Sequence, residues 1–243
     1  MKKIVIVLPC YNEAEDLKRK MEVLVDALKE YKDYNFEYVI SDDCSSDKTY
    51  EIAKTITYAH ATTYKPHYGK GWAVKNGIKY ALDNLDFDYI IFMDIDLSTE
   101  LNALPPMVEA LKEYPFVAGS RYNKDSKILV KQPFKRRLIS KCSRIIIKTL
   151  FNFKVKDTQC GFKGMNKDVA KLLVETSRVE QFAFDVEYFY ILKLNKIPYT
   201  SIPVRWNDDR GSTVRVVSSS VRFFKDLFMI KRNKKYYVNK VQK

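Results

Sequence analysis

Two aspartates, Asp94 and Asp96, stand at the end of a short apolar run that begins at Ile90. Such a run is typical of a buried parallel strand that emerges at the edge of a sheet, where open α/β folds bind their ligands. Carboxylates at positions i and i+2 can share a divalent cation with a diphosphate, because Mg²⁺ is usually held by one or two carboxylates plus phosphate oxygens. The alternative is that both side chains only solvate the strand end and cap the following turn.

The stretches around this pair alternate between strand and helix patterns. Strands are predicted at 3–8, 36–41, 90–93 and 116–118, and helices at 15–31, 49–56, 74–82 and 104–113. This alternation indicates βαβ units and a mostly parallel sheet. The charged side chains that follow the strands are Asp42, Asp43, Asp94, Asp96 and Arg121. We therefore expect them along one edge of the sheet, where a nucleotide-type ligand binds.

Lys70 lies between two glycines, Gly69 and Gly71, directly before a predicted helix. Glycines let a backbone approach a ligand closely, and the ammonium can neutralise a phosphate. The spacing is not that of a P-loop, which needs a longer interval between its glycines. A plain helix start with a solvated lysine is the other interpretation.

The charge of the chain is divided between its halves. Residues 1–120 contain 14 Lys and Arg against 20 Asp and Glu, whereas residues 121–243 contain 29 against 10. A strongly basic half can attract nucleic acid or an anionic membrane surface. The two halves are therefore expected to face different partners.

Composition excludes several other classes. At 243 residues, with 46% hydrophobic residues, the chain is long enough for one sizeable core. No apolar run reaches the roughly 18 residues of a membrane-spanning helix, and the first run is too short for a signal peptide. The four cysteines have no C-x-x-C spacing and the chain has two histidines, which gives no zinc pattern. We expect a cytoplasmic protein with reduced thiols.

Two segments of the basic half combine apolar and cationic residues. From 134 to 151 the apolar positions recur on one helical face, with lysines and arginines on its flanks. From 221 to 243 aromatic residues stand beside lysines. Both patterns suit a helix lying in the membrane interface. An ordinary helix packed on the sheet fits the first segment as well, and single-stranded nucleic acid could stack on the second.

Five motifs occur in a fixed order along the first half. They are Pro9-Cys10-Tyr11-Asn12-Glu13, Asp42-Asp43-Cys44-Ser45-Ser46-Asp47-Lys48-Thr49, Gly69-Lys70-Gly71, Asp94-Ile95-Asp96 and Gly119-Ser120-Arg121. In order and spacing they resemble the family 2 glycosyltransferases. Three further motifs are Asp157-Thr158-Gln159-Cys160-Gly161-Phe162-Lys163, Phe184-Asp185-Val186-Glu187 and Pro203-Val204-Arg205-Trp206. They resemble the polyprenyl-phosphate branch of that family, which includes dolichyl-phosphate glucosyl- and mannosyltransferases.

The resemblance implies a GT-A fold, which is a Rossmann-like, mostly parallel sheet flanked by helices. It also implies a nucleotide-sugar donor, Mg²⁺ or Mn²⁺ bound by Asp94 and Asp96, and inversion at the anomeric carbon. The residues that would hold the nucleoside and the diphosphate are Pro9, Tyr11, Glu13, Asp42, Asp43 and Lys70. Cys44 departs from the glycine usual at its position, and Ser98 from the glutamine frequent in the mannosyl branch.

On the acceptor side, the resemblance implies a polyprenyl phosphate whose chain stays in the bilayer. Arg121 and one of Arg136 or Arg137 are our candidates for gripping its phosphate, because a guanidinium binds phosphate in a bidentate way. Asp157 and Asp185 are the candidate bases, although an ionised phosphate acceptor needs no strong base. Both could instead cap helices or pair with lysines.

The expected organisation is one GT-A domain, peripheral on the cytoplasmic face of a membrane. Its parts would be a nucleotide-sugar half (1–122), an acceptor half (123–220) and a basic aromatic C-terminal helix or tail (221–243). The main alternative is a family 2 enzyme that glycosylates a glycan hydroxyl, with one of the two candidate carboxylates as base. A nucleotidyltransferase that releases diphosphate and a nucleic-acid-binding module are further alternatives, and we expect no nucleic acid partner.

Overall fold

The computed structural model describes residues 1–130, 133–207 and 216–238. Its strands are β1 (Lys2–Cys10), β2 (Tyr34–Asp42), β3 (His60–Thr63), β4 (Tyr89–Met93), β5 (Phe116–Ser120), β6 (Lys127–Ile128), β7 (Phe162–Asn166), β8 (Tyr199–Pro203) and β9 (Arg205–Trp206). Its helices are α1 (Leu17–Leu28), α2 (Thr49–Thr55), α3 (Lys70–Asn84), α4 (Leu104–Leu111), α5 (Phe134–Phe151), α6 (Lys167–Thr176), α7 (Phe184–Leu194), α8 (Val216–Arg232) and α9 (Lys234–Tyr237).

Seven strands form the central sheet in the order β3-β2-β1-β4-β7-β5-β8. The neighbours β1, β2, β3 and β4 are parallel, and β5 is parallel to β8. β7 is antiparallel to both β4 and β5, between which it lies. The prediction of a mostly parallel α/β sheet flanked by helices is confirmed, and the sheet takes strands from both the acidic and the basic half of the chain.

Each face of the sheet carries its own hydrophobic core. The long apolar strand β1 sends Val5 and Val7 to one core and Ile4, Ile6 and Leu8 to the other, as the alternation of side chains along a strand requires. Residues of α3, α6 and α7 fill the first core, and those of α1 and α4 the second. Helices on both faces are the usual way to bury a parallel sheet.

The antiparallel direction of β7 brings the segment 157–161 to the sheet edge where the ligand is expected. The carboxyl ends of β2, β4 and β5 lie at one edge, as predicted, because these strands run in the same direction. β7 runs the opposite way, so it begins at that edge, and the segment 157–161 that precedes it lies between the ends of β4 and β5. The acceptor-half motif that includes Asp157 is thereby placed beside Asp94.

Candidate functional site

The turn after β4 presents Asp94 and Asp96 at the sheet edge. The Leu97 N–H donates to the Asp94 carbonyl at 3.2 Å, and the Ser98 N–H donates to Asp96 Oδ1 at 2.9 Å. Leu97 has a φ of 54°, a left-handed conformation that is costly for a bulky side chain. Strained backbone of this kind is found preferentially at functional sites. The turn therefore fixes the direction of the Asp96 carboxylate.

Asp94 is held between Lys70 and Gly161. The Lys70 ammonium lies 2.6 Å from Asp94 Oδ1, an atom that is buried and accepts no hydrogen bond of regular geometry. The Asp94 N–H donates to the Gly161 carbonyl at 3.0 Å, and a Cβ at Gly161 would overlap the Asp94 carboxylate. A carboxylate oxygen buried without a well-oriented donor is suited to a cation.

The donor set fits Mg²⁺ or Mn²⁺ bound together with a diphosphate. Among the residues that the structure describes, no group of three or more His, Cys, Asp and Glu side chains could enclose a metal ion. Asp94 and Asp96 alone supply hard oxygen ligands here, and a small divalent cation that keeps waters and takes phosphate oxygens needs no more than that. The remaining ligands of such a cation would be phosphate oxygens and waters.

Electrostatics couple the charged groups of this site. Burial raises the pKa of Asp96, and the neighbouring Asp94 charge raises it further. The pKa of the Lys70 ammonium is raised as well, because the charges of Asp94 and Asp185 outweigh the effect of its burial. A divalent cation would favour the ionised form of both aspartates. Lys70 is therefore a permanent positive charge beside the two carboxylates.

Gly71, which follows Lys70, packs closely against another segment of the same chain. A Cβ at Gly71 would lie 2.7 Å from Phe184 Cβ and 2.8 Å from the Val179 carbonyl oxygen. The Trp72 N–H donates to the Glu180 carbonyl at 3.0 Å. The segment 179–184 thus approaches the backbone closely at Gly71, and the approach of a ligand to this loop stays a prediction. This packing brings the start of α7 to Lys70.

Asp42 and Asp43 are both buried at the end of β2. Asp42 accepts hydrogen bonds from Ser45 Oγ at 2.5 Å and from Thr63 Oγ1 at 2.9 Å. Asp43 Oδ1 accepts from the Tyr64 hydroxyl at 2.7 Å and from the N–H groups of residues 68 and 69, each at 3.1 Å. Nucleoside binding by this pair stays a prediction. What the pair does in the structure is fix the loop 64–69 that leads into α3.

Aromatic side chains surround that loop. Tyr11 is 43% exposed and packs on His67, with the two ring centroids 4.4 Å apart. The ring centroids of Tyr68 and Trp72 are 5.0 Å apart. Such surfaces suit a flat heterocycle. Of the other predicted nucleoside residues, Pro9 is buried in β1, and Glu13 Oε2 accepts a hydrogen bond from Lys20 at 2.7 Å. Tyr11 is thus the predicted residue with the most accessible side chain for a base.

Arg121 and Asp157 form a buried bidentate pair at the end of β5. Arg121 Nε donates to Asp157 Oδ2 at 2.8 Å, and its Nη2 donates to Oδ1 at 3.0 Å. The Arg121 and Gln159 N–H groups add bonds of 3.0 and 3.1 Å. Although burial opposes it, the Arg121 charge lowers the pKa of Asp157. Saturated oxygens and a lowered pKa argue against Asp157 as a base and make it the residue that orients Arg121.

Asp185, the other candidate base, occupies the first turn of α7. Its Oδ1 accepts a hydrogen bond from Lys163 at 2.6 Å, and the residue is 5% exposed. Burial raises the pKa of Asp185, against the opposing charges of Lys163 and Lys70. Asp185 therefore lies close enough to Lys70 for their charges to interact.

The sequence analysis missed Arg144, which lies on α5 and not at its exposed start. Its guanidinium is stacked 3.6 Å from the ring centroid of Tyr122, and Arg121 lies 5.7 Å from the same centroid. Arg144 Nε is buried and has no hydrogen-bond partner in the described part of the chain. Arg136 is half-buried and Arg137 exposed, and both lie about two helical turns closer to the start of α5 than Arg144 does. Sequence alone gave no signal that selected Arg144 among the cations of this helix.

Exposed apolar side chains concentrate in the basic half. The first large side chain buried on α5 is Ile147, whereas Phe134 is 76% exposed and Leu138 51%. On α8, Leu227 and Ile230 are buried while Phe228 is 62% exposed. α5 thus packs on the body through its C-terminal part and extends its first two turns outward. Over residues 1–130, 133–207 and 216–238, no helix combines the length and the apolar character needed to cross a bilayer.

Comparison with known proteins agrees with this geometry. The sequence profile of Glycosyl transferase family 2 matches residues 5–173. The chain therefore belongs to glycosyltransferase family 2. It is 30% identical over 242 residues to a dolichyl-phosphate beta-glucosyltransferase of Dictyostelium discoideum, covering 93% of this chain and 73% of the relative. The human enzyme of the same name is 27% identical, covering 95% of this chain and 75% of the relative. The resemblance to the polyprenyl-phosphate branch, and with it a nucleotide-sugar-dependent glycosyltransferase, is confirmed.

Solved structures agree on the fold. A glucosyl-3-phosphoglycerate synthase of Mycobacterium tuberculosis, in complex with Mn²⁺, UDP and phosphoglyceric acid, superposes with a TM-score of 0.68 at 17% identity, covering 95% of this chain and 78% of that one. A mannosyl-3-phosphoglycerate synthase of Rubrobacter xylanophilus gives a TM-score of 0.69 at 14% identity, covering 97% and 76%. The expected GT-A fold is confirmed.

Proposed function

We propose that this enzyme transfers glucose, with inversion, from UDP-glucose to the phosphate of a membrane polyprenyl or dolichyl phosphate. The observation that carries this proposal is the similarity, over 93% of the chain, to a relative named dolichyl-phosphate beta-glucosyltransferase. Asp94, Asp96 and Lys70 would form the donor site, and the ion pair between Lys70 and Asp94 supports this. GDP-mannose is the alternative donor, and the geometry of the site does not distinguish it from UDP-glucose.

On the donor side, Asp94 and Asp96 would hold Mg²⁺ or Mn²⁺, and Lys70 would contact the diphosphate. The metal, when bound, supplies positive charge that neutralises the leaving diphosphate. That a related fold in the mycobacterial enzyme accommodates Mn²⁺ and UDP supports this placement. Tyr11 and the aromatic residues of the loop 64–69 would contact the nucleoside.

The reaction needs one displacement at the anomeric carbon. An oxygen of the acceptor phosphate forms a bond to C1 of glucose as the bond between C1 and the diphosphate oxygen breaks, and UDP leaves with the electron pair. An α-linked donor then gives a β-linked product, in agreement with the name of the relatives. A phosphate monoester is already ionised near neutral pH, because its second pKa is about 6. No residue has to remove a proton from it.

On the acceptor side, arginines of two elements would bind the phosphate. Arg121 is oriented by Asp157, and Arg144 is stacked on Tyr122 with an unsatisfied Nε. A guanidinium suits the tetrahedral, multiply charged oxygens of phosphate. Arg136 and Arg137, nearer the exposed start of α5, would guide the headgroup into this position.

The lipid chain of the acceptor would remain in the bilayer while the enzyme lies on its cytoplasmic face. The exposed Phe134 and Leu138 on α5 and Phe228 on α8 provide apolar side chains that could enter the interface. The net charge of +19 on residues 121–243, from 29 Lys and Arg against 10 Asp and Glu, favours anionic headgroups. Nucleic acid is not a proposed partner.

The direct test supplies radiolabelled UDP-glucose, MnCl₂ and a short-chain polyprenyl phosphate in detergent, followed by organic extraction. Label in the organic phase, lost on treatment with EDTA and in Asp94→Asn, is the expected result. The unphosphorylated polyprenol is the matched control acceptor and should stay unlabelled. Label that appears only on an added oligosaccharide would assign the enzyme to the glycan-hydroxyl alternative, and parallel reactions with GDP-mannose test the choice of donor.

A further inference from the structure

Lys163 is buried in the middle of the sheet. It belongs to β7, where it pairs with Phe92 of β4 and Ala118 of β5, and its exposure is 0%. Lysine is almost never buried completely unless it is paired, because removing an ammonium from water costs several kcal/mol. A lysine at such a position must therefore have partners that offset this cost.

The Lys163 ammonium has two partners on different parts of the chain. It donates to Asp185 Oδ1 at 2.6 Å and to the Cys160 carbonyl at 2.5 Å, and it lies 5.3 Å from the Phe92 ring centroid. Asp185 lies at the start of α7, whereas Cys160 lies in the segment before β7. One buried cation thus joins α7 to the segment 157–161.

That segment touches both sides of the site. Gly161 lies under the Asp94 carboxylate and accepts the Asp94 N–H, and Asp157 holds Arg121 in its bidentate pair. A shift of the segment would therefore displace the candidate metal ligand and the candidate acceptor arginine together. Lys163 touches neither group directly.

Lys163 and its partner Asp185 extend a row of alternating charges that begins at Asp94 and Lys70. Asp94 lies next to Lys70, the charges of Lys70 and Asp185 interact, and Asp185 is bonded to Lys163. The three carboxylates Asp94, Asp96 and Asp185 face two ammonium groups, Lys70 and Lys163. Without Lys163, a buried Asp185 would favour its neutral form, because burial penalises the charged one.

From these contacts we infer that Lys163 is a positioning residue for both substrates: it joins Asp185 of α7 to the segment 157–161 and holds that segment so that Asp94 and Arg121 keep their places. This inference rests on the proposed function for its activity readout. Residues that orient the groups contacting a metal or substrate typically contribute 10- to 100-fold in affinity or activity. We therefore expect a loss of that order.

The experiment compares Lys163→Met, Lys163→Arg and the double variant Lys163→Met/Asp185→Asn with the wild type, using kcat, KM and urea unfolding. Lys163→Met should lower kcat about 10- to 100-fold with a smaller change in the KM for UDP-glucose, and Lys163→Arg should recover part of the loss. The double variant should unfold at a higher urea concentration than Lys163→Met, because no buried charge is left unpaired, and yet remain slow. Lys171→Met, on the exposed surface of α6, is the matched control with unchanged kcat.

Two outcomes would overturn the inference. One is a folded Lys163→Met variant whose kcat lies within twofold of the wild type. The other is a double variant that regains both stability and wild-type kcat, which would reduce Lys163 to a neutraliser of Asp185. If the wild type itself forms no glucosyl lipid, the proposed function fails, and Mn²⁺-dependent UDP binding still decides the inference: Lys163→Met should bind UDP more weakly than the wild type and Lys171→Met, and equal binding by all three would overturn it.

Discussion

At the scale of single residues, the site depends on backbone positions that side-chain patterns do not reveal. Cys44 and Leu97 both adopt φ of 54°. The departure noticed at Cys44 now has a physical meaning, because glycine is the residue that adopts this conformation without a steric cost. Leu97 carries the same strain directly after Asp96, the second candidate metal ligand.

Gly161→Ala tests the contact between Gly161 and Asp94. The new methyl group would displace the end of a flexible side chain, so we expect a small loss of stability and a loss of activity of at least tenfold, as for groups that orient a metal ligand. Gly164→Ala is the matched control on β7, since its Cβ would meet the ends of Leu111 and Met107 far from the carboxylates. Equal kcat/KM values for the two variants would contradict the role of Gly161.

Asp157→Asn tests the buried pair with Arg121. At pH 7 the variant should lose about 3 kcal/mol of unfolding free energy, because an uncompensated guanidinium stays buried. The folded pKa of Asp157 lies below its unfolded value near 3.9. The stabilisation is therefore fully present above about pH 4 and is lost as the pH falls through the folded pKa.

Urea unfolding of this variant at pH 7, 5 and 3 checks the prediction. The difference in unfolding free energy between the variant and the wild type should be equal at pH 7 and pH 5, and it should be smaller at pH 3. Asp125→Asn, which changes an exposed carboxylate, should show little difference at any pH. A difference in unfolding free energy that grows as the pH falls would contradict the stabilising role of the Arg121–Asp157 pair.

At the scale of elements, the sequence predicted helices and strands best where a helical or apolar pattern continued over the whole element. The predicted helix at 134–151 coincides with α5, and the parallel strands β1, β2, β4 and β5 lie where their apolar runs predicted. β7 was missed because Lys163 and Gly164 interrupt its apolar pattern, and the partner that neutralises Lys163 follows 22 positions later. The pairing of Asp157 with Arg121 could not be predicted either, because no spacing in the sequence reveals it.

The exposed start of α5 gives a prediction about membrane binding. Replacing Phe134 and Leu138 by asparagine should weaken binding to vesicles containing anionic lipid by about 100-fold or more, because each buried side chain of this size contributes about 1.5–3 kcal/mol. Vesicle sedimentation measures the effect. Val23→Asn, at an exposed apolar position on α1, is the control. Unchanged sedimentation of the double variant would exclude α5 from the interface.

At the scale of the whole molecule, the charge division has a structural counterpart. The acidic half supplies β1 to β5, with the carboxylates at their carboxyl ends, and the basic half supplies β7, α5 and α8. The antiparallel β7 inserts the second half into the sheet of the first, so that Asp94 and Arg121 lie on either side of the segment 157–161. The candidate donor-site and acceptor-site residues thereby come together, although they derive from halves of opposite charge.

The central claim is that Asp94 and Asp96 hold a divalent cation beneath the diphosphate of the donor. Crystals of the protein grown with UDP and MnCl₂, measured for the anomalous scattering of manganese, test it most directly. We predict a single strong peak within about 2–2.5 Å of oxygens from both carboxylates and from the UDP diphosphate. Bound UDP with no manganese between it and this pair of aspartates would contradict the account.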